Sequence, residues 1–125
     1  MEAAKILLIE DEEFIKIALI EFLRLSFPEV KVYAAETLTE ARKLWSQNQF
    51  DIIISDCILP DGLACDFLEE IDFKGPIIII TGIVDKDKLE KAAHLIKGPL
   101  YILRKPVSLE KLARILLPYI TRETP

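Results

Sequence analysis

Ile6-Leu7-Leu8-Ile9-Glu10-Asp11-Glu12-Glu13 joins an unbroken apolar run to four consecutive acids. The same device recurs at Ile52-Ile53-Ile54-Ser55-Asp56, where a second apolar run closes on a carboxylate. A strand without polar alternation needs cover on both faces, which places it inside a parallel sheet flanked by helices. If the two runs lie side by side and point the same way, Glu10, Asp11 and Asp56 meet at one edge of that sheet. Two unit charges ~4 Å apart at an effective dielectric of about 20 repel by roughly 4 kcal/mol. A hard divalent cation with oxygen ligands relieves such a cluster. The acidic run equally suits the first turn of a helix, where carboxylates meet the positive end of the helix dipole. At this point both readings stand.

Outward from these runs the chain alternates between two kinds of segment. Glu12 to Leu25 reads as a helix stopped by Ser26-Phe27-Pro28, and Val30-Lys31-Val32-Tyr33-Ala34 alternates apolar with polar, as a half-exposed edge strand does. Thr37 and Glu40 form a capping box that opens a second helix with a buried stripe of Leu38, Ala41, Leu44 and Trp45. After the strand at Asp51 to Ser55, Leu59-Pro60-Asp61-Gly62 reads as a turn and Ala64 to Ile71 as a helix. Ile77 to Ile80 forms a fourth strand closing on Thr81-Gly82, and Asp85 caps a lysine-rich helix that runs to about Ile96. Leu100 to Leu103 gives the fifth strand, and Ser108 caps a last helix reaching about Tyr119. Strand and helix thus alternate five times, a (βα)5 pattern that predicts an α/β, doubly wound parallel five-stranded sheet. One domain is expected over residues 1–120, with 121–125 as a tail or the start of a linker.

Composition narrows the function. At 125 residues the chain is the size of one domain, and it can bury a core without disulfides or structural metal. With 16 basic and 21 acidic residues its net charge is -5, which argues against direct binding to a nucleic-acid backbone. The N-terminus lacks the basic head and long apolar stretch of a signal peptide, and no apolar run is long enough to span a bilayer. A cytoplasmic location with no membrane contact is therefore expected. Cys57 and Cys65 read as small packing thiols in a reducing compartment, with a thiol role for Cys57 left open by its position beside Asp56. His94 has no plausible ligand partner and is given no role.

In open parallel sheets, functional groups gather beyond the carboxyl ends of the strands. Those ends carry Glu10-Asp11, Asp56, Thr81 and Lys105-Pro106. Two acids can hold a divalent cation, a third carboxylate can act as nucleophile, a hydroxyl can bond a transferring oxygen, and an ammonium can neutralise accumulating charge. These are the parts needed to move a phosphoryl group onto Asp56.

The set resembles the response-regulator receiver domain of two-component signalling, and the resemblance runs from Lys5 to about Ile120. It rests on the acidic pair Glu10-Asp11, on Asp56 with Pro60 four residues later, on Thr81, and on Lys105-Pro106, all in order and at the family's spacing. It implies a flavodoxin-like fold with strand order 2-1-3-4-5, and phosphorylation of Asp56 by a phosphohistidine on a partner kinase or phosphotransfer protein. It implies Asp11, Asp56 and the backbone carbonyl of Ile58 as ligands of magnesium or manganese, with Glu10 holding a metal-bound water. Thr81 and Lys105 would contact phosphoryl oxygens, and Gly82 would leave the phosphate room. The output surface implied is the face made by the fourth helix, fifth strand and fifth helix, also a possible homodimer contact. Ile15 and Leu19 on the first helix are the implied contacts to the phosphohistidine partner.

The sequence departs from the family at three positions. Ile102 stands three residues before Lys105, where an aromatic switch is usual. Tyr101 is one residue off, and strand alternation points it the other way unless a bulge intervenes. Ile58 and Ile83 are bulky and apolar where the family often has polar residues, so they are expected to shield the acyl phosphate and slow its hydrolysis. Other phosphate chemistry fits less well. A dehalogenase-type phosphatase needs an aspartate at Ile58, and a flavin mononucleotide carrier would be repelled by Glu10 to Glu13. A receiver-like docking module independent of phosphorylation is the remaining alternative, and only Ile102 favours it.

Overall fold

The structure, a computed structural model, describes residues 3–82 and 86–120. Ile83, Asp85 and the tail 121–125, all given roles above, lie outside the described residues. In chain order the elements are β1 (Lys5–Ile9), α1 (Glu13–Ser26), β2 (Lys31–Ala35), α2 (Leu38–Gln47), β3 (Ile52–Asp56), β4 (Ile58–Leu59), β5 (Gly62–Leu63), α3 (Ala64–Glu70), β6 (Ile77–Thr81), α4 (Lys86–Leu95), β7 (Leu100–Arg104) and α5 (Leu109–Ile120).

Five of these strands form one parallel sheet in the order β2-β1-β3-β6-β7. Once the short β4 and β5 are set aside, this is the expected order 2-1-3-4-5. The central strands β1, β3 and β6 owe their place to sequence. Alternate residues point to opposite faces, so a continuous aliphatic run feeds two cores at once. Ile6, Leu8, Ile52, Ile54, Ile78 and Ile80 pack on one face against Leu19 and Leu23 of α1 and Leu112 and Leu116 of α5. Leu7, Ile9, Ile53, Ile77 and Ile79 pack on the other against Leu38 and Ala41 of α2 and Phe67 and Leu68 of α3. Helix α4 lies beside α3. The edge strands β2 and β7 are partly exposed, as the alternation of Val30 to Ala34 requires.

Sequence alone missed the hairpin of β4 and β5. The turn read at Leu59-Pro60-Asp61-Gly62 is flanked by two antiparallel pairs, Ile58 with Leu63 and Leu59 with Gly62. Gly62 has φ near +145°, a conformation that side chains disfavour. At the tip, Asp61 accepts from Leu38 N (2.8 Å), Thr39 N (3.0 Å) and the Thr39 hydroxyl (2.8 Å). The Leu38 N–H above all holds this carboxyl below its ordinary range. Thr37 accepts from Glu40 N as expected (3.1 Å), so two side chains serve the first turn of α2.

Trp45 is half-buried at the rim of the second core. It stacks on Phe50 with ring centroids 5.9 Å apart and meets Phe73 edge-on at 5.4 Å. A groove of about 640 Å³ there, lined in part by Asp51 and Asp72, opens at the end of the sheet where the strands begin.

Ile54 is fully buried between α1 and α5. Ile54→Ala is expected to lower the unfolding free energy by about 3 kcal/mol through lost transfer energy and the cavity left behind. Urea denaturation checks this through a lower midpoint at unchanged slope.

Candidate functional site

Strand register builds the site. Ile9 pairs with Ser55, so the next residues, Glu10 and Asp56, come side by side at the carboxyl edge. Asp56 pairs with Ile80, which sets Thr81 one step further out. Thr81 pairs with Arg104, and the N–H of Lys105 donates to the Thr81 carbonyl (2.9 Å), carrying Lys105 onto the same edge. Four chain segments therefore deliver the expected polar residues to one rim. The Lys105–Pro106 peptide is cis.

The side chains converge as the backbone does. Lys105 Nζ donates to Asp56 Oδ2 at 2.8 Å and lies 3.1 Å from Glu10 Oε1 and 3.4 Å from Glu12 Oε1. Asp56 Oδ1 accepts from the N–H of Cys57 at 2.7 Å. Glu10 is buried, and its Oε2 accepts from Glu12 N at 3.3 Å where the chain turns into α1. Thr81 is buried at the end of β6, whereas Asp11 is exposed. At Gly82 a Cβ would meet nothing within 4 Å, so the rim beyond Thr81 is open.

Burial raises Glu10 above the ordinary carboxylate range, and the charge of Asp56 adds to that, against the Glu12 N–H and Lys105, which lower it. Burial alone would lower Lys105. Its bonds to Asp56 and Glu10 outweigh burial and keep the ammonium protonated well above neutrality. One cation thus faces several acids, and the cluster retains an excess of negative charge. Carboxylate oxygens of Glu10, Asp11 and Asp56 lie within 4.8 Å of one another, a spacing and donor chemistry that fit one hard divalent ion.

Other expected residues fall in different places. Ile58 is exposed on β4, next to the site in sequence. Leu19 is a correction. It is only 1% exposed and sits in the core under α1, so it cannot meet a partner. Ile15 is half-buried and packs against the same core. The helical period turns Ile15, Leu19 and Leu23 toward the sheet and leaves Phe14 (89% exposed), Ile17 and Leu25 facing outward. The phase of the helix against the sheet chooses the outer residues.

The β6–β7 ladder is regular from Leu100 to Arg104, with no bulge, so Tyr101 and Ile102 face opposite ways. Tyr101 packs on the core side, its hydroxyl 2.5 Å from that of Tyr119 on α5, a contact that no local sequence pattern signals. Ile102 is partly exposed, and Leu95, Leu109 and Leu117 of the flanking helices are exposed too. Glu12, which the sequence offered only as part of the acidic run, joins the site through Lys105.

Comparison with known proteins agrees with this geometry. Residues 6–117 match the family model of the response regulator receiver domain. The chain is 30% identical over 118 residues to the response regulator protein PilR of Pseudomonas aeruginosa, covering 92% of this chain and 26% of PilR. It spans about a quarter of that relative's length. It is 31% identical over 93 residues to the chemotaxis protein CheY of Halobacterium salinarum, covering 72% of this chain and 76% of CheY. A crystal structure of a response regulator receiver domain protein from Clostridium thermocellum superposes with TM-score 0.80 at 31% identity, covering 95% of both chains. Among the described residues no helix is long and apolar enough to cross a membrane. With the sheet order, the acidic rim and the matched span in agreement from Ile6 to Leu117, the chain belongs to the response regulator receiver domain family, the signalling module of two-component systems.

Proposed function

We propose that this receiver is a magnesium-dependent switch that accepts a phosphoryl group on Asp56 from a phosphohistidine of a partner kinase or phosphotransfer protein. The observation that carries this reading is the contact of Lys105 Nζ with Asp56 Oδ2 at 2.8 Å, inside a rim that also holds Glu10 and Asp11. Asp11, Asp56 and the carbonyl of Ile58 would hold the ion, and Glu10 would support a water bound to it. When bound, the ion offsets negative charge on the carboxylates and on the incoming phosphoryl oxygens. An Asp56 carboxylate oxygen attacks phosphorus, the phosphorus–nitrogen bond breaks, and the imidazole leaves with the electron pair. Lys105, held protonated by its carboxylate neighbours, exchanges Asp56 for a phosphoryl oxygen. The Thr81 hydroxyl donates to another oxygen, and Gly82 leaves the group room. In this reading the chain promotes its own phosphorylation and slow dephosphorylation, and it acts as a signalling domain rather than an enzyme.

Output runs through the face of α4, β7 and α5, where Leu95, Ile102, Leu109 and Leu117 offer apolar surface to a partner or to a second copy. With Ile102 in place of an aromatic switch, movement of Thr81 is transmitted by repacking of the helices. Phe14 and Ile17 replace Leu19 as contacts to the phosphohistidine protein, because they are the large apolar residues that the first half of α1 turns outward. The domain is assigned to residues 1–120, with a cytoplasmic location.

Incubation with magnesium and acetyl phosphate is expected to add one phosphoryl group, seen by intact mass, and Asp56→Asn abolishes it. An unmodified wild type would sink the switch and favour the docking alternative. The adduct is expected to persist for minutes or longer, and decay within seconds would exclude shielding by Ile58 and Ile83.

Proton and cation compete at Glu10. Because its folded-state value is raised, the protonated carboxyl favours the fold at low pH, and this contribution is lost as pH rises through that value. Protonation of Glu10 would oppose magnesium binding, so the stabilising effect of magnesium is expected to shrink as pH falls through that raised value. Thermal melts with and without magnesium check this. Glu10→Gln is expected to flatten the dependence, and an unchanged profile would contradict it.

Phe14→Ala is expected to slow transfer from a phosphohistidine protein roughly tenfold, the loss of about 1.4 kcal/mol of contact. Its labelling by acetyl phosphate stays at the wild-type rate. Equal loss with both donors would show that Phe14 serves the site itself.

A further inference from the structure

The β4–β5 hairpin leaves a pair of thiols unexplained by phosphoryl transfer. Cys57 precedes β4 and Cys65 lies in the first turn of α3. Main-chain bonds already bring them together: Ile58 pairs with Leu63, and Ala64 N donates to the Cys57 carbonyl at 2.9 Å. The loop between them is therefore closed in the reduced fold, so linking its ends costs little further chain entropy. The two thiols are hydrogen-bonded to each other, which with burial pushes Cys65 ionisation up. Both residues are half-buried, and Cys57 packs at the edge of the second core.

We propose that Cys57 and Cys65 form a reversible dithiol site that closes to a disulfide with low-molecular-weight disulfides and, once closed, weakens cation binding at Asp56. One thiol, as thiolate, attacks a sulfur of the reagent, whose sulfur–sulfur bond breaks to release one thiolate and leave a mixed disulfide. The second thiol then gives up its proton and displaces the other half of the reagent. The protein loses two protons and two electrons, and the reagent leaves as two thiols. A reversible bond of this kind suits a reducing compartment, where disulfides are transient and regulatory.

Closure must bring the sulfurs from hydrogen-bond separation to about 2.05 Å. The peptide that moves carries the Cys57 N–H, which donates to Asp56 Oδ1 at 2.7 Å, and adjoins the carbonyl of Ile58. Displacing such a supporting contact typically weakens metal binding roughly tenfold. This second half rests on the proposed cation site, whereas the disulfide itself does not.

The test treats the whole 125-residue chain with oxidised glutathione and follows intact mass and thiol titre. The wild type is expected to lose about 2 Da with no adduct, and reductant restores both thiols. Cys65→Ser should instead keep one glutathione adduct. A wild type that retains both thiols, or that accumulates stable mixed adducts, overturns the site. Calorimetry then compares magnesium binding by oxidised and reduced protein, with roughly tenfold weaker binding expected after oxidation. Equal affinities overturn the coupling. If the reduced protein binds no magnesium, the proposed cation site fails and the coupling with it, while the mass result still decides the dithiol.

Discussion

A parallel sheet buried on both faces admits no charge along the length of its central strands, and this constraint shapes the whole molecule. Burying an unpaired carboxylate costs many kcal/mol, so acids can sit only where a strand emerges. β1, β3 and β6 are aliphatic until their last residues and then end in Glu10-Asp11, Asp56 and Thr81. Because all the strands run the same way, every polar ending falls on one rim. The packing that holds the two cores together thus also concentrates the reactive groups.

That concentration is electrostatically unfavourable, and the structure keeps part of the cost. Burial and the neighbouring Asp56 charge hold Glu10 above its ordinary range, even with Lys105 only 3.1 Å away. Lys105 is drawn to Asp56 and Glu10 strongly enough to overcome its own desolvation. A single ammonium among acids leaves a residual attraction for a hard cation and, with that cation, for a phosphoryl group. The same imbalance gives the proposed switch its two occupants and lets both leave.

The hairpin after β3 links this rim to its surroundings. Cys57 supports Asp56 through its backbone N–H, and Asp61 anchors the first turn of α2. A short loop therefore joins the acidic rim to two helices, α2 and α3. On the other side, β7 joins the rim to α5 through the hydroxyls of Tyr101 and Tyr119. In the proposed switch, coupling on that side would run through the helices packed around Ile102, since Ile102 stands where the family usually has an aromatic ring.

Sequence periodicity by itself determined the five strands, the helices between them and the polar residues at their ends. Those features are local: an aliphatic run, a cap at Thr37 or Ser108 and a turn at Pro60-Asp61 act within a few residues. It did not settle whether the acids after β1 serve a helix dipole or a cation, since both use the same residues. Register divides the run, laying Glu10 beside Asp56 at a spacing that fits a cation while Glu13 enters the first turn of α1. Nor did it fix which apolar residues of α1 face outward. Leu19 and Phe14 differ in composition no more than two core residues would, and only the docking of α1 on the sheet buries one and exposes the other. The anchoring of α2 by Asp61, the pairing of Tyr101 with Tyr119 and the meeting of Glu12 with Lys105 belong to the tertiary structure for the same reason. Each joins residues far apart in the chain, and no local pattern encodes a contact whose distance is set by how separate elements pack.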